Sequence, residues 1–135
     1  WDHAQRRDVD WVSGAAMLWT ERALEQVGVL DPEFFMYCED VDYCWRSWAQ
    51  GLKVVYLPEA QATHLIGRST DKAPNRMILR FHRSMLKFFV KHQLPLAPWP
   101  VRPFYWMFAV VGLALRAGLF FAKNKVDVVR RKLGR

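Results

Sequence analysis

Cysteine is scarce: Cys38 and Cys44 are the only two in 135 residues. Two thiols cannot build a disulfide framework, and their separation across a helix start is not a zinc-ligand spacing. They read as small apolar side chains in a reducing compartment. Acidic residues are nearly missing from the second half. From Gly67 onward there are fifteen Lys or Arg but only Asp71 and Asp127. The chain shows no internal repeat, low-complexity tract or signal peptide, and it opens on Trp1 without a Met, which reads as an excised piece. Nucleic-acid motifs are missing too, so the basic half predicts no specific nucleic-acid partner, only attraction by charge. With 52% hydrophobic residues, disorder is excluded.

The charge that is present divides the chain. The first 66 residues hold five Lys or Arg against eleven acidic residues. An acidic front half therefore joins a basic, apolar back half, a combination suited to anionic membrane or phosphate-bearing ligands. Trp1 to Asp10 reads as a polar loop. Ser13, Gly14 and Ala15 lie in an apolar stretch, where their small size lets a second backbone or a ligand approach closely. Thr20 predicts an N-cap for a helix over 21–27 that Gly28 ends. A second helix opens at Glu39 or Asp40 and runs to about Gln50, with Val41, Cys44, Trp45 and Trp48 as its apolar face and Asp42 and Arg46 paired. Strands are expected at 53–57 and 60–66, the latter carrying His64. A polar loop over 67–75 and a helix over 76–92 follow, the helix with a basic side of Arg76, Arg83, Lys87 and Lys91.

The densest pattern is Phe34-Phe35-Met36-Tyr37-Cys38-Glu39-Asp40-Val41-Asp42-Tyr43-Cys44-Trp45-Arg46. After it come Gly51, then Tyr56-Leu57-Pro58, then His64-Leu65-Ile66-Gly67-Arg68-Ser69. An aromatic run delivers two adjacent carboxylates to a helix start, and a later segment delivers one imidazole. Such a set can hold a general base and a metal ligand. An acidic pair at a helix start can equally be no more than a cap, and a lone strand histidine can be satisfied by a neighbour.

This series, with Val12-Ser13-Gly14-Ala15 and Gly28-Val29-Leu30-Asp31-Pro32-Glu33 before it, resembles the C-terminal half of family-2 glycosyltransferases, over roughly residues 9–92. The rhamnosyltransferase-like branch, which works on bacterial surface polysaccharides, is the most similar. The resemblance implies an α/β class, the C-terminal part of a GT-A (Rossmann-like) domain with additional C-terminal helices. Residues 1–92 would be the acceptor-binding and catalytic-base half, and 93–135 a basic, apolar, membrane-associating tail. The reaction implied is inverting transfer from a nucleotide-diphosphate-sugar to a saccharide or lipid-linked saccharide hydroxyl.

The resemblance makes Asp40 the catalytic base and Glu39 its support through acceptor hydrogen bonds. His64 becomes a ligand to Mn²⁺ or Mg²⁺ on the donor diphosphate. Gly67, Arg68 and Ser69 become a loop over that diphosphate, with Arg68 as a planar cationic donor. Ser13, Gly14 and Ala15 would line the sugar pocket, and Trp11 would stack on a sugar face. Core packing is the expected role of Trp45. Asp8-Val9-Asp10 and Asp40-Val41-Asp42 match the letters of the family's Asp-x-Asp metal motif, but neither follows a buried strand. The main metal ligands and the nucleotide pocket are therefore expected in an N-terminal half that this chain lacks, and the chain alone is expected to be inactive or nearly so.

The tail has twenty residues between Arg102 and Lys123 with Arg116 as their only charge. That length could span a bilayer, while its aromatic front and basic flanks suit a helix lying on the inner leaflet. Burial in a homo-oligomer is a third possibility. The expected location is cytoplasmic, peripheral to the inner membrane. A non-catalytic tethering or oligomerisation module on the same half-fold is the alternative function.

Overall fold

The computed structural model describes residues 2–64 and 74–132. The chain forms two compact units, Trp1–Ile66 and Gly67–Arg135.

In the first unit, β1 (Arg7–Asp8) pairs antiparallel with β2 (Val55–Tyr56), Arg7 opposite Tyr56 and Asp8 opposite Val55. The Val9 N–H extends the ladder to the Val54 carbonyl at 2.9 Å. Residues 1–10 are therefore not purely a loop. The pairing draws on backbone groups, which any sequence supplies, and so a polar segment can serve. The expected strand over 60–66 does not form in its described part: Pro58 starts a turn closed by Ala60 N–H on the Leu57 carbonyl at 3.2 Å, and residues 60–64 are irregular. Leu65 and Ile66 lie outside the described residues.

Helix α1 (Glu21–Val27) starts where expected, the Thr20 hydroxyl accepting from Ala23 N–H, and ends at Gly28 with φ 81°. Helix α2 (Glu39–Ala49) carries the core of this unit. Phe34, Tyr43, Cys44 and Val54 are buried, and Trp19 stacks on Tyr43 with ring centroids 4.8 Å apart. The buried face of α2 is Asp42, Tyr43, Cys44 and Ser47, not the stripe through Trp45 and Trp48, which are 38% and 40% exposed. Polar groups override the apolar periodicity. Asp42 is buried because Arg46 neutralises it at 2.8 Å, while Arg46 also donates to the carbonyls of Val27 and Val29 at the end of α1. Ser47 satisfies its hydroxyl on the Tyr43 carbonyl within the helix. Trp48 turns outward far enough for Nε1 to reach the Val9 carbonyl.

In the second unit, α3 (Pro74–Phe88) opens into a π turn, Phe89–Gln93, before Pro95, which has no N–H to continue the ladder. Two short 3₁₀ turns, Leu94–Leu96 and Trp99–Val101, lead to α4 (Arg102–Lys132). Arg102 closes this proline-rich turn by donating to the carbonyls of Ala97 and Pro95 at 3.0 and 2.9 Å. Helices α3 and α4 pack together.

Candidate active site

The carboxylate pair owes its position to a strained approach. Tyr37 and Cys38 both take left-handed backbone, φ 69° and 66°. For non-glycine residues this costs roughly 1–2 kcal/mol each, and it persists only where surrounding contacts enforce it. Here buried Phe34 anchors one side, and Asp42 N–H on the Cys38 carbonyl at 2.8 Å anchors the other. The tight reversal sets Glu39 and Asp40 as the first two residues of α2, where the unpaired N–H groups of a helix favour negative charge.

The segment before α1 lies along α2. Two hydrogen bonds hold it, two helical turns apart: the Val9 carbonyl accepts from Trp48 Nε1 at 3.2 Å, and Asp40 Oδ2 accepts from Gly14 N–H at 2.9 Å. Asp40, Cys44 and Trp48 are spaced by four and share one ridge of the helix. Asp40 Oδ1 accepts from Val41 N–H at 2.8 Å, so each carboxylate oxygen holds one backbone donor and keeps lone-pair capacity for another. Around Gly14, Ser13 closes a turn, its carbonyl accepting from Ala16 N–H and its hydroxyl from Ala15 N–H, both at 3.3 Å. A methyl group on Gly14 would touch the Asp40 side chain, 3.4 Å from Cβ and 3.6 Å from Oδ2. The Asp40 carboxylate therefore lies under a glycine backbone with no side chain over it at that point.

Ser13, Gly14 and Ala15 are thus brought to Asp40, and all three are solvent-exposed. Trp11 lies on the same segment, 51% exposed. Glu39 faces differently. Its Oε2 is buried with no hydrogen-bond partner among the described residues. Burial, with the Asp40 charge adding to it, holds the Glu39 carboxyl above its usual range, and its own backbone N–H opposes this in part. Burial likewise pushes the Cys38 thiol up to about 11, reinforced by Asp40, Glu39 and Asp42. One turn beyond Glu39, the Tyr43 hydroxyl is also buried without a partner among the described residues, as is Nε1 of Trp19 stacked on it. This Trp19–Tyr43–Glu39 side of α2 escaped sequence reasoning. The four-residue step from Glu39 to Tyr43 is a signal for one part of it, but nothing local marks Trp19.

His64 is exposed on the irregular segment after β2. Among the described residues no three of His, Cys, Asp and Glu come together in a way that could hold a metal ion. These residues therefore do not constitute a divalent-ion site, and an ion on His64 needs its other donors from elsewhere. Gly67, Arg68 and Ser69 lie outside the described residues.

Comparison with known proteins bears on the family to which the chain belongs. The family model "Glycosyltransferase like family 2" matches residues 2–83. An N-acetylglucosaminyl-diphospho-decaprenol L-rhamnosyltransferase of Mycobacterium tuberculosis is 34% identical over 127 residues, 94% of this chain and 40% of that protein. The rhamnosyltransferase WbbL of Escherichia coli K12 is 39% identical over 56 residues, 42% of this chain and 21% of that protein. A low-salt glycan biosynthesis hexosyltransferase, Agl10, of Haloferax volcanii is 31% identical over 58 residues, 43% of this chain and 19% of that protein. The chain spans well under half the length of these relatives. No solved structure matches.

Proposed function

This chain belongs to glycosyltransferase family 2, and from that premise we propose that it carries the acceptor-binding and catalytic-base half of an inverting transferase with the GT-A fold. The donor is a nucleotide-diphosphate-sugar. The acceptor is a saccharide hydroxyl, lipid-linked as in the relative named for a decaprenol substrate, in the synthesis of a surface polysaccharide. The transferase works at the cytoplasmic face of the membrane that holds this acceptor.

The observation that carries the reading is the Asp40 carboxylate, fixed between the first turn of α2 and the Gly14 backbone with lone pairs to spare. Inverting transfer is one displacement. The acceptor oxygen bonds to the anomeric carbon as the bond to the nucleotide diphosphate breaks, and the hydroxyl proton passes to the base. A base bound at two backbone donors keeps its aim, and general-base help of this kind is worth about 10²- to 10⁴-fold. Ser13, Gly14 and Ala15 offer backbone beside the reacting centre, and exposed Trp11 offers a stacking face. Glu39 is left its other carboxyl oxygen, Oε1, to hydrogen-bond the acceptor, since Oε2 is buried. Arg68, with Gly67 and Ser69, receives the diphosphate. His64 gives a single imidazole to a Mn²⁺ or Mg²⁺ ion whose other ligands come from outside the described residues. In the intact transferase, Asp40→Asn abolishes donor consumption that depends on acceptor while the fold persists; undiminished transfer assigns the base elsewhere.

A further inference from the structure

We propose that the outer face of α4 lies in the plane of an anionic lipid surface, with α3 stacked on its water side. This deepens the membrane placement proposed above, but it stands on the second unit alone and not on the transfer chemistry. By length and composition, the helix from Trp99 to Arg130 could cross a bilayer. Its partner helix argues against that orientation.

Helices α3 and α4 run antiparallel. Asn124 Nδ2 donates to Asn75 Oδ1 at 2.7 Å, the His82 and Phe120 rings lie 5.9 Å apart, and Arg116 donates to the Met85 sulfur at 3.4 Å. The less exposed residues of α4, Val110, Leu113, Ala117, Phe121 and Asn124, fall on one side of the helix. At 100° per residue, Phe108, Val111, Leu115, Leu119 and Val126 fall opposite them. That opposite row is bare: Phe108 is 68%, Leu115 67% and Leu119 72% exposed. Lys123 and Lys125, both exposed, flank it on its two sides. Arg116, the one charge in the apolar stretch, is not on this row. It reaches α3, its guanidinium 5.5 Å from the Phe81 ring centroid and 5.6 Å from that of Phe120.

On α3, the residues in contact with α4 include His82 and Met85. Arg76, Arg83 and Lys87 are exposed and fall on the other side of that helix, and Lys91 is exposed on the π turn that follows it. Because α3 runs back along α4, a bilayer-spanning α4 would carry Arg83 and Lys87 into the hydrocarbon at the level of Arg116 and Phe120, facing lipid. Charges so placed are strongly disfavoured. Lying flat removes this conflict. The apolar row enters the acyl boundary, Lys123 and Lys125 reach anionic headgroups, and the cations of α3 stay in water. A second copy is the poorer occupant, since residues 67–135 carry fifteen Lys or Arg against two Asp, a formal +13 that repels its like.

Flotation of the full chain with vesicles of phosphatidylcholine mixed with phosphatidylglycerol tests this. The chain is expected to float with the mixed vesicles and to be released by alkaline carbonate. Leu115→Glu with Leu119→Glu, at exposed positions where folding is unaffected by circular dichroism, should lose flotation by at least about tenfold. Lys123→Gln and Lys125→Gln should each weaken it roughly fivefold. Retention in the membrane after carbonate means a span and overturns the proposal. So does flotation undiminished by the Leu115 and Leu119 changes, or a dimer in solution that those changes dissolve. Vesicle binding is read without any transfer reaction, so its failure is separate from a failure of the catalytic reading.

Discussion

Asp42 and Arg46 form an ion pair at 2.8 Å across one turn of α2, with the carboxylate fully buried and the guanidinium side chain 23% exposed. The same guanidinium donates to Val27 and Val29 carbonyls, tying the end of α1 to the helix that bears Asp40. Removing one partner of a buried pair leaves an uncompensated group, at about 3–5 kcal/mol. Asp42→Ala is expected to lower unfolding free energy by about 3 kcal/mol, the low end because Arg46 keeps some water. Arg46→Lys should cost about 1–3 kcal/mol, since an ammonium cannot serve three acceptors in the same fork. Urea denaturation measures both, and a change within about 0.5 kcal/mol, the range of an ordinary surface substitution, would deny the pair its structural role.

Gly14 separates stability from function. A methyl there meets Asp40 only at ordinary contact distance, so Gly14→Ala should leave stability within about 0.5 kcal/mol. The bulkier Gly14→Val covers the carboxylate and displaces whatever approaches it, and transfer in the intact enzyme should fall by roughly 10²-fold. Equal rates for wild type and Gly14→Val would show that substrate does not approach from this side.

Glu39 gives a pH signature. Its carboxyl is raised above 4.5 in the folded protein, so its contribution favours the fold most below that value and is lost as pH rises through the raised one. Glu39→Gln is neutral throughout. Its thermal midpoint should exceed that of the wild type at neutral pH, and the difference should close as the pH falls below about 4.5. A gap that widens in acid would mean that Glu39 is stabilised as the anion.

Much of this could be read in the sequence wherever the cause was local. Thr20 and Gly28 bound α1, and Gly51, with φ 72°, follows α2, because capping and left-handed turns depend on single residues. The pair Asp42–Arg46 follows from helical spacing. What escaped depends on distant partners. Arg7–Asp8 pairs with a strand nearly fifty residues later through backbone alone. The buried side of α2 is chosen by Arg46 reaching α1 and by Trp48 reaching Val9, which no periodicity of α2 can reveal. For the site, the motif order drew Gly14 and Asp40 into one expectation, but the hydrogen bond between them is visible only in the fold. The left-handed Tyr37 and Cys38 had no signal, since neither residue type favours that conformation.

The thiols should be inert. Cys38 is pushed up to about 11 by burial and three carboxylates, and Cys44 is raised by burial against the pull of the Val12 N–H. Iodoacetamide at neutral pH should modify the folded chain far more slowly than the urea-unfolded chain, because thiolate is the reactive form. Comparable rates in the two states would show that the strained turn before α2 opens readily.

The catalytic base is tested most directly by changing the acceptor's need for one. An acceptor whose attacking hydroxyl is replaced by a thiol ionises unaided near pH 9. In the intact transferase, Asp40→Asn should cut kcat/KM for the hydroxyl acceptor by about 10²- to 10⁴-fold. With the thiol acceptor at that pH, the same variant should lose little. An equal loss with both acceptors would mean that Asp40 holds the site together and takes no proton.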